Sequence, residues 1–353
     1  MKIAAVGKAL PEHYYDQATL TGFLTRVWSD RPGVVKRLES LHENVLVEGR
    51  HLALPLEAYE HLETFGQHND AWIKAAVDLG ERALSEALER AGLGVRDIDA
   101  IFFSTVTGLA SPSIDALLVN RMGLRTDVKR VPMFGLGCVA GASAVSRAAD
   151  YLRGHPTGVA VALTIELCSL TLQRHDNSVA NLISTGLFGD GASCAVVVGS
   201  ERAARSACDG PTILDTRSVF YPDTEDLMGW RIDEHGFNIQ LSTAVPAVAR
   251  ERVGQDVDEF LHAHDLERAD IATWVAHPGG PKVLAGLRDG LGLSDEDLSL
   301  SWDSLRRMGN LSSASVLMIL RATMDQRRPR PGAYGVMLAM GPGFCSELLL
   351  LRW

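Results

Sequence analysis

The chain has 353 residues, 46% of them hydrophobic and 22% charged, which is enough for two ordinary domains or one duplicated unit with a core that needs no staples. Its net charge of −10 argues against nucleic acid as a partner, because phosphate backbones are gripped by basic faces. Five cysteines at irregular spacing (Cys138, Cys168, Cys194, Cys208 and Cys345) make neither a disulfide framework nor a CxxC zinc pattern, so a reducing, cytoplasmic setting is expected. The stretch Gly158 to Leu172 is too short for a membrane span and is interrupted by Glu166.

Met1 to Gly7 reads as a first strand rather than a leader. Ala71 to Ala91 has helical periodicity, with Trp72, Ala76, Leu79, Ala83 and Leu84 on one side, and Gly92 is placed to end it. Then come a strand at Ile98–Ser104, a short helix at Ser113–Met122 and a strand at Lys129–Phe134. A small-residue helix follows at Cys138–Arg153, with strands at Val159–Cys168 and Ala192–Gly199. A second cycle predicts a strand at Thr212–Tyr221, a helix at Val245–His264, a strand at Ile271–Ala276 and helices at Pro281–Leu291 and Asn310–Arg328. Strands at Tyr334–Met340 and Ser346–Trp353 close the chain, and Arg327-Arg328-Pro329-Arg330 reads as a solvated turn. Alternation of this kind implies an α/β fold in two halves, 1–205 and 206–353.

Chemistry concentrates in three segments. In Phe134-Gly135-Leu136-Gly137-Cys138, a strand runs through two glycines that permit a sharp reversal, and the cysteine stands before a helix. The positive end of that helix dipole favours the thiolate, so Cys138 is the candidate nucleophile. The glycines follow a GxGxxxG spacing rather than GxGxxG, which excludes a dinucleotide fingerprint. His277 ends an apolar strand ahead of Pro278-Gly279-Gly280. Asn310, in Gly309-Asn310-Leu311-Ser312-Ser313, stands where a helix is expected to start, a position at which Asn also serves as an ordinary cap.

These three segments, together with Leu187-Phe188-Gly189-Asp190-Gly191-Ala192 and Met340-Gly341-Pro342-Gly343-Phe344, occur in the order found in type III polyketide synthases, which the sequence resembles along most of its length. The resemblance implies a thiolase-like five-layered αβαβα fold, a homodimer, and a Cys138–His277–Asn310 triad. It implies acyl-CoA and malonyl-CoA as substrates, joined by decarboxylative condensation, with no metal or redox cofactor. Phe188 matches the junction between coenzyme A tunnel and cavity, Ile239 stands at a second gatekeeper position, and Trp230 at a position that is small in the plant enzymes. Cys168, Thr171 and Thr107 are expected to line the cavity, and Arg50 and Lys282 to grip coenzyme A. The segment Glu166 to Gln173 looks closer to bacterial enzymes that extend fatty acyl starters to alkylpyrones or alkylresorcinols. Competing readings are an initiating ketoacyl synthase, a thiolase using Cys345, and a non-catalytic partner subunit.

Overall fold

The apolar runs become strands that are covered on both faces. The computed structural model describes residues 1–206 and 208–353. The first half runs β1 (Lys2–Ala9), β2 (His13–Asp16), α1 (Gln17–Val27), α2 (Pro32–Asn44), β3 (Gly49–Leu52), α3 (Leu56–Tyr59), α4 (Phe65–Ala91) and β4 (Ala100–Thr105). It continues with α5 (Ile114–Met122), β5 (Lys129–Phe134), α6 (Ala140–Arg153), β6 (Val159–Leu167), α7 (Val179–Leu187), β7 (Asp190–Val198) and α8 (Ser200–Arg205). The second half holds β8 (Thr212–Phe220), β9 (Met228–Asp233), β10 (Gly236–Leu241), α9 (Val245–His262), β11 (Ile271–Ala276) and α10 (Pro281–Leu291). It ends with α11 (Ser299–Met308), α12 (Ser313–Gln326), β12 (Tyr334–Gly341) and β13 (Cys345–Arg352).

The main sheet has the order β11-β12-β13-β8-β1-β7-β6-β4-β5. Its two portions repeat one pattern of directions. β4 is parallel to β6, which is antiparallel to β7, itself antiparallel to β1. Likewise β11 is parallel to β12, which is antiparallel to β13, itself antiparallel to β8. A single residue pair, Lys2 with Thr212, joins the portions. Helix α4 covers the outer face of the first portion with Trp72, Leu79, Ala83 and Leu84. Helices α9 and α10 cover the outer face of the second with Val253, Val257, Phe260 and Leu287. Between the portions lie α6 and α12, packed against inward residues of both, such as Ala160, Val197, Met337 and Leu349. These are the five layers, αβαβα, that the resemblance implied.

The middle layer is thin because its residues are small. A Cβ built on Gly141 of α6 would lie 2.1 Å from the carbonyl oxygen of Ser313, the first residue of α12. Small residues let two helices approach this closely, and few other side chains would fit.

Element boundaries differ from expectation where a cap outranks periodicity. α4 starts six residues earlier than its apolar stripe, because Thr64 and Gln67 form a reciprocal capping box. α12 starts at Ser313, after Ser312 takes φ 46°, so Asn310 lies outside the helix. Helices α1, α2, α7 and α11 and the β9–β10 hairpin were not foreseen. Arg327 and Arg328, between α12 and β12, pair with Glu296 and Asp209.

Gly141→Ala is expected to force α6 and α12 apart and lower stability by about 1–3 kcal/mol. At Gly154 the nearest atom to a new Cβ would be 3.7 Å away, so Gly154→Ala is close to neutral. Urea midpoints of the two variants against the parent chain check the contrast.

Candidate active site

Cys138 sits in a tight turn, Gly137–Val139, that feeds α6, and it is buried. Gly135 (φ 93°) and Gly137 (φ 52°) carry the reversal in the left-handed region, as the sequence required. Pro342, from the loop after β12, closes on Gly137 and leaves a Cβ there only 2.8 Å of room.

Asn310 is fixed by the backbone. Its N–H donates to the Leu187 carbonyl (2.9 Å) and its carbonyl accepts from the N–H of Gly189 (3.0 Å), forming a parallel bridge with Phe188. A side chain at Gly309 would strike the Leu187 carbonyl at 2.6 Å, and one at Gly189 the Met308 carbonyl at 2.4 Å. The Ser312 N–H donates to Asn310 Oδ1 (2.7 Å), which orients the amide so that Nδ2 donates, at 3.3 Å, to the carbonyl of Gly279. Asn310 is therefore not a helix cap; its carboxamide is aimed into the site by the turn ahead of α12.

His277 follows β11 and continues its ladder, donating from its backbone N–H to the Leu338 carbonyl (3.0 Å). It is buried, and neither ring nitrogen has a partner among the described residues. A buried imidazole with both nitrogens unpartnered is uncommon. The His277 segment meets Asn310 through Gly279. Asn310 and Ser312, whose hydroxyl is 3.7 Å from Sγ, meet Cys138.

Burial governs the protonation states. It pushes the Cys138 thiol up to about 12, with the carboxylate of Glu166 adding to the rise while hydrogen bonds from Ser312 and Asn310 oppose it. It holds the His277 imidazole down to about 3. The helix-end field expected to stabilise a thiolate is thus opposed by desolvation, which favours the neutral form of each group taken singly.

Two cavities adjoin one another, and the first reaches Cys138. One of about 410 Å³ is lined by Cys138, Thr107, Cys168, Phe188, Trp230 and Ile239, together with Ser312 and Pro342. The other, about 600 Å³, shares Cys168, Phe188 and Trp230 and adds Thr171 and Arg50. Its apolar wall comes from α1, β3 and α3 through Leu20, Phe23, Leu24, Leu52 and Leu56. Trp230 and Ile239 face each other across the β9–β10 ladder. Burial pushes the Cys168 thiol well up, which suits a lining residue better than a second nucleophile. Lys282 is exposed on the first turn of α10 and lines neither cavity. Arg50 is buried beside Phe188, so it does not offer the exposed cation that gripping coenzyme A requires. The α1 wall was missed: its Leu20, Phe23, Leu24 spacing signals a helix face, but not a chamber behind it.

Comparison with known proteins agrees with this geometry. Residues 1–202 match the N-terminal domain of chalcone and stilbene synthases, and residues 213–353 match the C-terminal domain. The chain is 51% identical over 352 residues to a 1,3,6,8-tetrahydroxynaphthalene synthase of Streptomyces peucetius subsp. caesius, covering 99% of this chain and 93% of the relative. It is 31% identical to a phloroglucinol synthase of Pseudomonas fluorescens Pf-5, covering 97% and 96%. The crystal structure of 1,3,6,8-tetrahydroxynaphthalene synthase from Streptomyces coelicolor A3(2), a bacterial type III polyketide synthase, superposes with a TM-score of 0.93 at 30% identity, covering 100% of this chain and 99% of that one. The fold and site define a thiolase-like acyltransferase. The chain belongs to the chalcone and stilbene synthase family, the type III polyketide synthases, which work by decarboxylative condensation.

Glu166 was read in the sequence only as a break in an apolar run, yet it is fully buried at the end of β6. Its Oε2 accepts from the Val106 N–H (3.1 Å) and the Thr107 hydroxyl (3.0 Å), and its Oε1 from the Ser313 hydroxyl. Burial raises its carboxyl to about 7 despite these donors. The folded state therefore holds this proton more tightly than the unfolded chain. The stabilisation is complete below the ordinary value of 4.5 and is lost as pH rises through about 7. Glu166→Gln is expected to flatten the fall in stability between about pH 5 and about pH 8 by about 3 kcal/mol, read from denaturation midpoints at the two pH values.

Proposed function

We propose that Cys138 carries the acyl chain, that His277 relays the proton, and that His277 with Asn310 stabilises the enolate. The buried, unpartnered imidazole of His277, two residues ahead of the Gly279 carbonyl to which the Asn310 amide donates, carries this reading. The Cys138 proton passes to His277 as Sγ attacks the thioester carbonyl of an acyl-CoA; the carbon–sulfur bond to coenzyme A breaks and the departing thiolate takes the proton. Transfer within the pair makes an imidazolium beside a thiolate, so the pocket changes no net charge, whereas either group ionising alone is opposed by burial. Malonyl-CoA then loses carbon dioxide, and the electron pair of the broken bond becomes an enolate. Its oxygen accepts from the imidazole N–H and from Asn310 Nδ2. The enolate carbon attacks the Cys138 thioester, the carbon–sulfur bond breaks, the chain grows by two carbons, and the released thiolate regains its proton from solvent before the next round. The bookkeeping closes without an oxidant or metal.

The product reading follows the relatives rather than the fatty-acyl expectation. A tetrahydroxynaphthalene skeleton has ten carbons with oxygen on alternate positions, which is the pattern of five two-carbon units from malonyl-CoA alone. We assign this chain to that product class. Beside its apolar wall the larger chamber presents Arg50, Ser169, Asn181, Ser184 and Thr185, a lining suited to an oxygenated chain. The alkylpyrone or alkylresorcinol reading keeps one supporting feature, the apolar wall from α1.

A homodimer is supported by β5, an outermost strand of the main sheet, which exposes Val131 on one face and Phe134, near Leu109, on the other. Unpaired edges with apolar faces ask for a cover, and a second copy supplies an equivalent edge. No helix among the described residues is long and apolar enough to cross a membrane, and the free thiols fit a cytoplasmic setting.

Purified enzyme given only malonyl-CoA is expected to yield a hydroxylated naphthalene, identified by mass spectrometry. Products appearing only when long acyl-CoAs are added would return the alkylpyrone reading. Cys138→Ala is expected to abolish product, and Asn310→Ala to slow malonyl decarboxylation about 100-fold to 1,000-fold. Turnover in Cys138→Ala would remove the nucleophile assignment. Phe134→Asp is expected to convert dimer to monomer in sedimentation velocity; an unchanged dimer would place the interface elsewhere.

A further inference from the structure

Among the described residues, Leu46, Asp223, Asp265 and Ser312 take a positive φ without being glycine. The first three are exposed. Ser312 is buried, at 3% exposure, with φ 46° and ψ −126°. A side chain is strained in that region and glycine is not, so a serine held there in the interior calls for a compensating role.

Two groups of Ser312 are turned toward the site. Its N–H donates to Asn310 Oδ1 (2.7 Å), a task that the backbone of most residues could fill. Its hydroxyl lies 3.7 Å from Cys138 Sγ, in the wall of the 410 Å³ cavity that reaches this sulfur. The neighbouring serines are occupied elsewhere: Ser313 donates to Glu166, and the Ser315 hydroxyl accepts from the Leu311 N–H (2.8 Å). In the contact with Cys138 the thiol donates and the Ser312 oxygen accepts. The serine's own O–H has no other acceptor among the described residues. A hydroxyl both donates and accepts, and it rotates to suit its partner.

The contact can therefore reverse. Once the thiol proton has left, the O–H is free to donate to the thiolate. Burial makes such a donor valuable: it pushes the Cys138 thiol up to about 12, the Glu166 carboxylate adds to the rise, and the Ser312 contact acts against both. A hydrogen bond to an ion is stronger than one between neutral partners, so the hydroxyl favours the charged sulfur over the thiol.

We propose that Ser312 is a catalytic residue whose hydroxyl turns to donate to the Cys138 sulfur while that sulfur is a thiolate, both as it attacks the coenzyme A thioester and as it leaves the growing chain. This deepens the reading of Cys138 as the acyl carrier and rests on it. No bond of the serine breaks. Its proton stays on oxygen, the thiol proton passes to His277, and the interaction weakens when the thioester removes the charge. The strained backbone sets the hydroxyl at the sulfur while the N–H of the same residue orients Asn310, so one turn serves both the nucleophile and the enolate.

The test reads the sulfur itself. Alkylation of Cys138 by iodoacetamide is followed at pH 8 by peptide mass spectrometry in the parent chain, Ser312→Ala and Ser312→Gly. Both variants keep the N–H that orients Asn310, and glycine also relieves the strain, so the change they share is loss of the hydroxyl. Both are expected to react about threefold to tenfold more slowly, because the thiolate becomes scarcer while each remaining thiolate, being more basic, is the better nucleophile. Parent-like alkylation of Ser312→Gly overturns the proposal, since strain and backbone position would then account for the residue. Turnover in Cys138→Ala would sink the carrier reading instead, and the alkylation rates would still decide what the hydroxyl does for the sulfur.

Discussion

The contact between α6 and α12 governs how the rest of this molecule can be arranged. Each helix belongs to a different half, and each carries a chemical group just ahead of its first turn: Cys138 before α6, Asn310 and Ser312 before α12. Only because residue 141 lacks a side chain can the Ser313 carbonyl reach the first turn of α6. The same approach that thins the central layer brings the thiol to the carboxamide. Packing density and chemistry are set at one place, so a change of a single methyl group there affects both.

Desolvation then sets the character of the site. Cys138, Glu166 and His277 are all buried, and each shifts toward its neutral form. A site of this kind avoids a permanently charged nucleophile. In the mechanism proposed above, it makes charge in matched pairs, thiolate with imidazolium, or as an enolate held by two donors. Low dielectric strengthens these interactions once they form and opposes any ion that forms alone. Arg50 is the exception, a charge kept in the interior with the Asp190 carboxylate in electrostatic reach.

The walls around the chemistry come from parts of the chain that are remote from one another. Phe188 follows α7, Trp230 and Ile239 sit on a separate hairpin, and the far wall is α1. None of these is part of the central layers. The volume offered to a growing chain can therefore change without disturbing the α6–α12 contact, which separates what the enzyme makes from how it makes it.

The sequence by itself determined the layered α/β fold, through buried runs such as β6 and β7, and it singled out the candidate reactive groups through glycines whose conformation leaves few alternatives. Gly135 and Gly137 mark the turn at Cys138, and Gly309 marks the crossing beside Asn310, because left-handed or crowded backbone is readable from residue type alone. It did not determine protonation: a helix end pointed to a thiolate at Cys138, while the surrounding burial acts against that charge. Nor did it place Arg50, whose letter reads as surface until the fold encloses it. Long-range packing decides dielectric and enclosure, and those quantities belong to the space around a residue rather than to its neighbours in the chain.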